Sequence, residues 1–140
     1  MILLDTNVIS EMLRRIPEKK VEGWLSAQNG SDVYLSAVTE AELRFGVAAM
    51  PAGSRQETLV VAIDAILQED FRSRVLPFDS SAARAYASIA AHRRRAGHPI
   101  SQLDCQIAAI ARANSACLAT RNTRDFEGCG IELINPWLEV

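Results

Sequence analysis

Apolar runs of strand length recur at Ile2-Leu4, Val33-Leu35, Val75-Phe78, Cys117-Ala119 and Ile131-Ile134, with longer stretches of helical spacing between them. Strands alternating with helices predict an α/β fold. The expected architecture is a three-layer α/β/α sandwich on a mainly parallel sheet of about five strands, covered by helices on both faces. An amphipathic stretch runs from Val8 to Arg15, and a second helical pattern from Val38 to Met50. Ser54 and Glu57 have capping-box spacing ahead of Leu59, Val60, Ile63, Ile66 and Leu67. Asp79 or Ser80 caps a helix that continues through Tyr86 and Ile89 to Arg93-Arg94-Arg95, and Gly97 ends it. Ser101 opens another, with Leu103, Ile107 and Ile110 along one side and Ala108, Ala109 and Ala111 permitting close packing. No repeat or linker-like tract divides the chain, and Pro51-Ala52-Gly53-Ser54 reads as a turn. Residues 1–140 are therefore expected to form a single domain.

Composition narrows the function classes. An apolar fraction of 49% over 140 residues supports a real core. The longest apolar runs, Leu59 to Ile63 and Ile107 to Ala111, fall far short of the roughly 20 residues a membrane span needs. Met1 leads directly into a strand without the pattern of a secretory signal, so the cytoplasm is the expected location. Cys105, Cys117 and Cys129 are widely separated and form no Cys-x-x-Cys pair, which fits small core residues rather than a disulfide framework or zinc knuckle. A formal charge of −2 argues against a whole-surface grip on nucleic acid, so any contact with a polyanion must be local.

The acids carry the candidate chemistry. Asp5 directly follows the first apolar strand, where a carboxylate at the carboxyl end of a parallel strand opens into the crevice that binds ligands in open α/β sheets. Glu42, Asp104 and Asp125 could gather at the same crevice. Carboxylates brought together repel one another and lose hydration, an arrangement a divalent cation relieves. Helical geometry separates the two nearby glutamates. Glu42 falls on the apolar arc with Val38, Phe45, Gly46 and Ala49, whereas Glu40 lies beside Arg44 in an ordinary i,i+4 pair. Each acid also has a simpler reading: Asp5 as an N-cap, Glu42 as a buried partner of an arginine, Asp104 in a capping box with Ser101, and Asp125 in a strand-to-helix loop.

Other polar features have mainly structural explanations. The triplet Arg93 to Arg95 complements a helix dipole, and His92 and His98 lack acidic or histidine neighbours at ligand spacing. Trp24, Phe45 and Trp137 read as core or interface residues. The polar stretch Thr120-Arg121-Asn122-Thr123-Arg124-Asp125 follows a strand, and its two arginines could receive phosphate.

Taken in order, Asp5-Thr6-Asn7, Ser36 through Glu42-Leu43 to Gly46, Asp104 in an alanine-rich helix, and Thr120-Arg121-Asn122 near Asp125-Phe126 resemble the PIN-domain ribonucleases. The likeness is greatest to the VapC and FitB toxins of bacterial toxin–antitoxin pairs, and Asn135-Pro136-Trp137 is similar to the FitB branch. It covers nearly the whole chain. The resemblance implies that Asp5, Glu42 and Asp104 hold Mg²⁺ or Mn²⁺, with Thr6, Thr120 and Asn122 supporting them or positioning water. Some relatives carry an aspartate where this chain has Asn122, so the fourth acidic role moves to Asp125 or is weakened. The resemblance further implies an RNA substrate, a cognate antitoxin protein that blocks the site, DNA contact only through that antitoxin, and a homodimer.

Two other readings remain at this stage. A catalytically weak or inactive PIN-like binding scaffold would use its acids only as caps and ion pairs. An aspartyl-phosphate α/β protein would need a lysine near the phosphoryl group, and the only lysines, Lys19 and Lys20, lie in an early polar segment.

Overall fold

The computed structural model describes residues 1–139. Strands β1 (Ile2–Leu4), β2 (Val33–Ser36), β3 (Val75–Leu76), β4 (Cys117–Ala119) and β5 (Leu133–Ile134) form one sheet in the order β3-β2-β1-β4-β5. Every pairing is parallel, with Leu3 opposite both Tyr34 and Leu118. The connecting helices are α1 (Thr6–Met12), α2 (Lys19–Ser26), α3 (Ala37–Ala48), α4 (Ser54–Ala65), α5 (Ser80–Arg95) and α6 (Gln102–Ala113). Pro77, which has no N–H to donate to a ladder, follows the last residue of β3, so the expected run to Phe78 is cut short.

The pleat assigns successive strand residues to opposite layers. Leu3 and Leu118 join Ala82 and Ile89 of α5 and Cys105 and Ile107 to Ala111 of α6 in one buried cluster. Leu4, Val33, Leu35 and Ala119 join Val8, Val21, Leu43, Val47 and Ile63 in the other. The two clusters are the two filled interfaces of an α/β/α sandwich. Among the described residues, no helix is long and apolar enough to cross a membrane.

Helix ends follow the sequence signals at α5 and α6 but not at α1, which spans Thr6–Met12 rather than Val8 to Arg15, or at the start of α4. Asp79 accepts from Ala82 N at 3.0 Å, and Ser101 accepts from Asp104 N at 3.3 Å. Gly97, at φ +77°, closes α5 as His98 N donates to the Arg93 carbonyl at 2.9 Å, a left-handed termination that glycine adopts without strain. Ser54 does not cap α4. The helix starts one residue earlier than expected, with Gly53 in the cap position and Glu57 N bonded to its carbonyl at 3.1 Å, so the Ser54 side chain is already inside the first turn.

Several apolar side chains assigned inward by periodicity face solvent instead, Val60 of α4 (40% exposed) among them. In α3 the buried residues are Val38, Thr39, Leu43 and Val47, a rotation that leaves Phe45 72% exposed. Glu42 consequently lies half-buried at the margin of the packed face rather than in the middle of an apolar arc. In α6 the buried residues begin at Cys105, and Leu103 in the first turn is 49% exposed.

The α5–α6 contact depends on small residues such as Ala82 and Ala108, both fully buried. Ala108→Leu is expected to lower the urea unfolding free energy by about 1–3 kcal/mol through overpacking. Ala83→Leu on the exposed side of α5 should change it by less than about 0.5 kcal/mol. Equal effects would contradict this packing.

Candidate active site

The strand order makes β1 the point from which the chain departs in two directions: through β2 to β3 on one side, and later through β4 to β5 on the other. Such a reversal leaves a crevice beyond the carboxyl ends of the two central strands. Asp5 stands there. Its backbone N–H continues the β1–β4 ladder by donating to the Ala119 carbonyl at 2.9 Å, which sets its side chain beside Thr120.

Asp5 is 6% exposed, and both carboxylate oxygens are occupied. Thr6 N donates to Oδ1 at 2.8 Å, so Asp5 does cap α1. The Thr120 hydroxyl donates to Oδ2 at 2.8 Å, and Asn7 Nδ2 approaches the same oxygen at 3.3 Å. Asn122 N in turn donates to the Thr120 hydroxyl at 3.1 Å, tying the loop after β4 to the loop after β1.

Glu42 reaches the site from the second turn of α3. The Thr6 hydroxyl donates to Glu42 Oε1 at 2.7 Å. A hydroxyl has one proton to give, so that of Thr6 is committed to Glu42. The Thr39 hydroxyl, 3.1 Å away, must then donate to Thr6, and Ser36 donates to Thr39 at 3.3 Å. The three hydroxyls, buried at Ser36 and Thr39 and half-buried at Thr6, form a one-directional chain ending on Glu42. Ser36 is also the N-cap of α3, accepting from Thr39 N at 3.0 Å, so the start of the helix and the orientation of its glutamate share the same atoms.

Asp104 enters in the first turn of α6, half-buried, where the helix dipole favours a negative charge. Asp5, Glu42 and Asp104 line one cleft of about 540 Å³ with Thr6, Asn7, Asn122 and others. Asp125 does not line it. It is exposed in a short 3-10 turn at Thr123–Phe126 and borders an adjacent depression with Arg93 and Arg124. Arg93 holds that turn by donating to the Asp125 and Glu127 carbonyls, each at 2.9 Å. Asp125 still influences the cleft electrostatically through Asp104.

Burial raises the Asp5 carboxyl above the usual carboxylate range. The bonds from Thr120 and Thr6 oppose that shift, and the charges of Asp104 and Glu42 add to it. Burial likewise raises Asp104; the Ser101 bond opposes it, the charge of Asp125 adds to it, and Arg93 lowers it. Ionised acids at this cleft therefore destabilise one another. The donor set is hard oxygen, and no cysteine lines the cleft, which fits Mg²⁺ or Mn²⁺ better than a thiophilic ion. Among the described residues, no three His, Cys, Asp or Glu side chains are already closed around one point. Separate carboxylates lining an open cleft suit an ion that retains several of its waters.

Several cleft residues escaped the sequence reading. Ser10, Glu11 and Arg14 continue from Asn7 at spacings of three, four and seven along one side of the first helix and the turn after it. That polar stripe was a readable signal. Glu11 is 5% exposed and is held by Arg14 at 3.1 Å and by Glu18 N at 3.1 Å. Trp137, read as core or interface, also lines the cleft. Of the two loop arginines, Arg121 faces the cleft and Arg124 the adjacent depression.

A carboxylate-lined cleft at the reversal point of a parallel sheet defines a carboxylate-site α/β protein. The PIN domain matches residues 2–129, and the chain belongs to the PIN-domain family. It is 46% identical over 137 residues to the VapC ribonuclease Y4jK of Sinorhizobium fredii, an alignment covering 98% of each chain. It is 43% identical to the Toxin FitB of Neisseria gonorrhoeae, covering 98% of this chain and 99% of that protein. The structure of FitAB bound to an IR36 DNA fragment contains a chain that superposes with a TM-score of 0.94 at 41% identity, covering 100% of this chain and 98% of that one.

The raised Asp5 carboxyl has a pH consequence. With its folded pKa above the reference value of 3.8, the folded state holds the proton more tightly than the unfolded state. Its stabilising contribution is complete below that reference and is lost as pH rises through the folded value. In chelator, the stability of Asp5→Asn relative to the unmutated protein should increase as pH is raised from about 4 towards neutrality. Parallel denaturation-midpoint curves would contradict the assignment.

Proposed function

We propose that this chain is a metal-dependent endoribonuclease, the toxin of a toxin–antitoxin pair, that hydrolyses RNA phosphodiesters with an activated water. The observation that carries this reading is the convergence of Asp5, Glu42 and Asp104, from the junction of β1 and α1, from α3 and from α6, on one cleft. When bound, a divalent cation lowers the pKa of its water and polarises a phosphate oxygen. Asp5, Glu42 and Asp104 are the residues that would hold it.

The chain's own groups prepare the site. Thr6 N–H and the Thr120 hydroxyl fix the two oxygens of Asp5, and the hydroxyl chain through Thr39 and Thr6 fixes Glu42. Asp104 supplies the facing carboxylate at a helix start. Asn122 presents a neutral amide at the cleft wall, where it can orient water or a phosphate oxygen without adding repulsion. It is therefore a better candidate than Asp125 for the fourth position.

Similarity to a protein named a toxin and to FitAB bound to DNA supports a cognate antitoxin that covers this cleft and contacts DNA on behalf of the pair. A cytoplasmic homodimer completes the reading. The neutral Asn122 favours one rival, a PIN-like scaffold with weak or no catalysis. The aspartyl-phosphate reading is disfavoured because Lys19 and Lys20 border a different depression, with Trp24 and Glu139.

Purified, antitoxin-free protein should cleave single-stranded RNA in Mg²⁺ or Mn²⁺ and stop in chelator. Replacing an outer-shell partner of a metal ligand costs about 10- to 100-fold, so Asp5→Asn, Glu42→Gln and Asp104→Asn should each lose at least roughly 100-fold. Thr120→Val should lose about 10- to 100-fold. Cleavage that survives chelator and the three acid substitutions would reject the mechanism, and no cleavage by the unmutated protein would favour the scaffold.

A further inference from the structure

Arg121 is a cation in an acidic cleft that makes no ion pair among the described residues. The same cleft contains Asp5, Glu11, Glu42 and Asp104. Among the described residues, the Arg121 guanidinium pairs with none of these carboxylates. Here its central carbon lies 5.1 Å from the centroid of the Trp137 ring, within cation–π range.

The pair is held from behind. Arg121 N donates to Asn7 Oδ1 at 3.3 Å, and Asn135 Nδ2 donates to the Arg121 carbonyl at 3.4 Å. Asn135 Oδ1 in turn accepts from Trp137 N at 3.0 Å, so one asparagine fixes both residues. The ring is half-buried against the core cluster that contains Leu4 and Val8, which makes it a fixed platform. A guanidinium held over an indole by cation–π attraction spends no N–H on an acceptor there, so its N–H groups stay free to donate. Those groups match phosphate oxygens.

We propose that Arg121 is an RNA-phosphate contact of this cleft and that Trp137 is its positioning residue, holding the guanidinium off the carboxylates so that they stay available to the cation. The inference rests on the ribonuclease reading and adds to it a residue that grips substrate and a second residue acting through the first. A base-stacking role for Trp137 is less compatible with the geometry, because the ring face carries the arginine.

The test measures binding of a single-stranded RNA oligonucleotide in chelator across a KCl series, with thermal unfolding of each variant alongside. Arg121→Ala should weaken binding about tenfold, the loss of a charge-assisted hydrogen bond. It should also make the slope of log affinity against log salt shallower by about 0.7, one phosphate contact on a single strand. Trp137→Leu, which keeps apolar bulk, should weaken binding about threefold and shift the slope in the same direction. Trp137→Phe keeps a ring face and should bind within about twofold of the unmutated protein.

An unaltered affinity and salt slope in Arg121→Ala, with cleavage and its KM retained, overturns the inference and leaves the ribonuclease reading intact. Equal losses in Trp137→Leu and Trp137→Phe overturn the positioning role and reduce Trp137 to packing. If the unmutated protein neither binds nor cleaves RNA, the ribonuclease reading fails and the inference fails with it.

Discussion

A carboxylate almost sealed from solvent at the end of a central strand is the constraint around which this structure is arranged. Asp5 is covered because β1 has neighbours on both sides and helices on both faces. It remains tolerable because one oxygen meets the first N–H of α1 and the other meets the Thr120 hydroxyl. Those bonds do not offset the whole cost of burial and of the acids nearby, so its carboxyl stays above the usual range. Among the described residues, no buried side-chain nitrogen or oxygen lacks a partner. The remaining imbalance is therefore one of charge, which a cation would relieve.

Thr6 connects the first two acids. Its backbone serves Asp5, and its hydroxyl, supplied by Thr39 and Ser36, serves Glu42. A single residue at the start of α1 thus sets the relation between a strand tip and a helix packed on a neighbouring strand. Asp104 lies outside this network, and the Ser101 cap of α6 accepts from its backbone N–H. Two acids fixed by hydrogen bonds and a third facing them across open space form a site with room for water and substrate.

The sheet, its parallel character and most helix boundaries were legible because apolar period and capping residues are local signals. Asp5 and Asp104 were legible for the same reason, each lying next to an element boundary. The face of α3 was not. Periodicity treated Phe45 and Ala49 as inward, but the sheet buries the arc of Thr39, Leu43 and Val47, and which apolar arc wins depends on what packs against it. The two glutamates still part ways after that rotation: Glu40 pairs with Arg44 at 2.8 Å, and Glu42 turns to Thr6. Contacts spanning long stretches of sequence, such as Arg121 on Trp137 or Thr120 on Asp5, leave no periodic trace. Asp125, close to Asn122 in sequence, faces another depression because the chain turns sharply between Thr123 and Phe126.

Carboxylates from the end of β1, from α3 and from α6 line the cleft together with Arg121 and the Trp137 indole beside it. The central claim is that the three acids act together on one divalent ion. Its most direct test is anomalous diffraction from a crystal of metal-free protein soaked in Mn²⁺. The expected result is a peak bounded by the side chains of Asp5, Glu42 and Asp104, lost in a crystal of Asp104→Asn. Full soaking with no peak in this cleft, or a peak bound only by residues outside it, would contradict the claim.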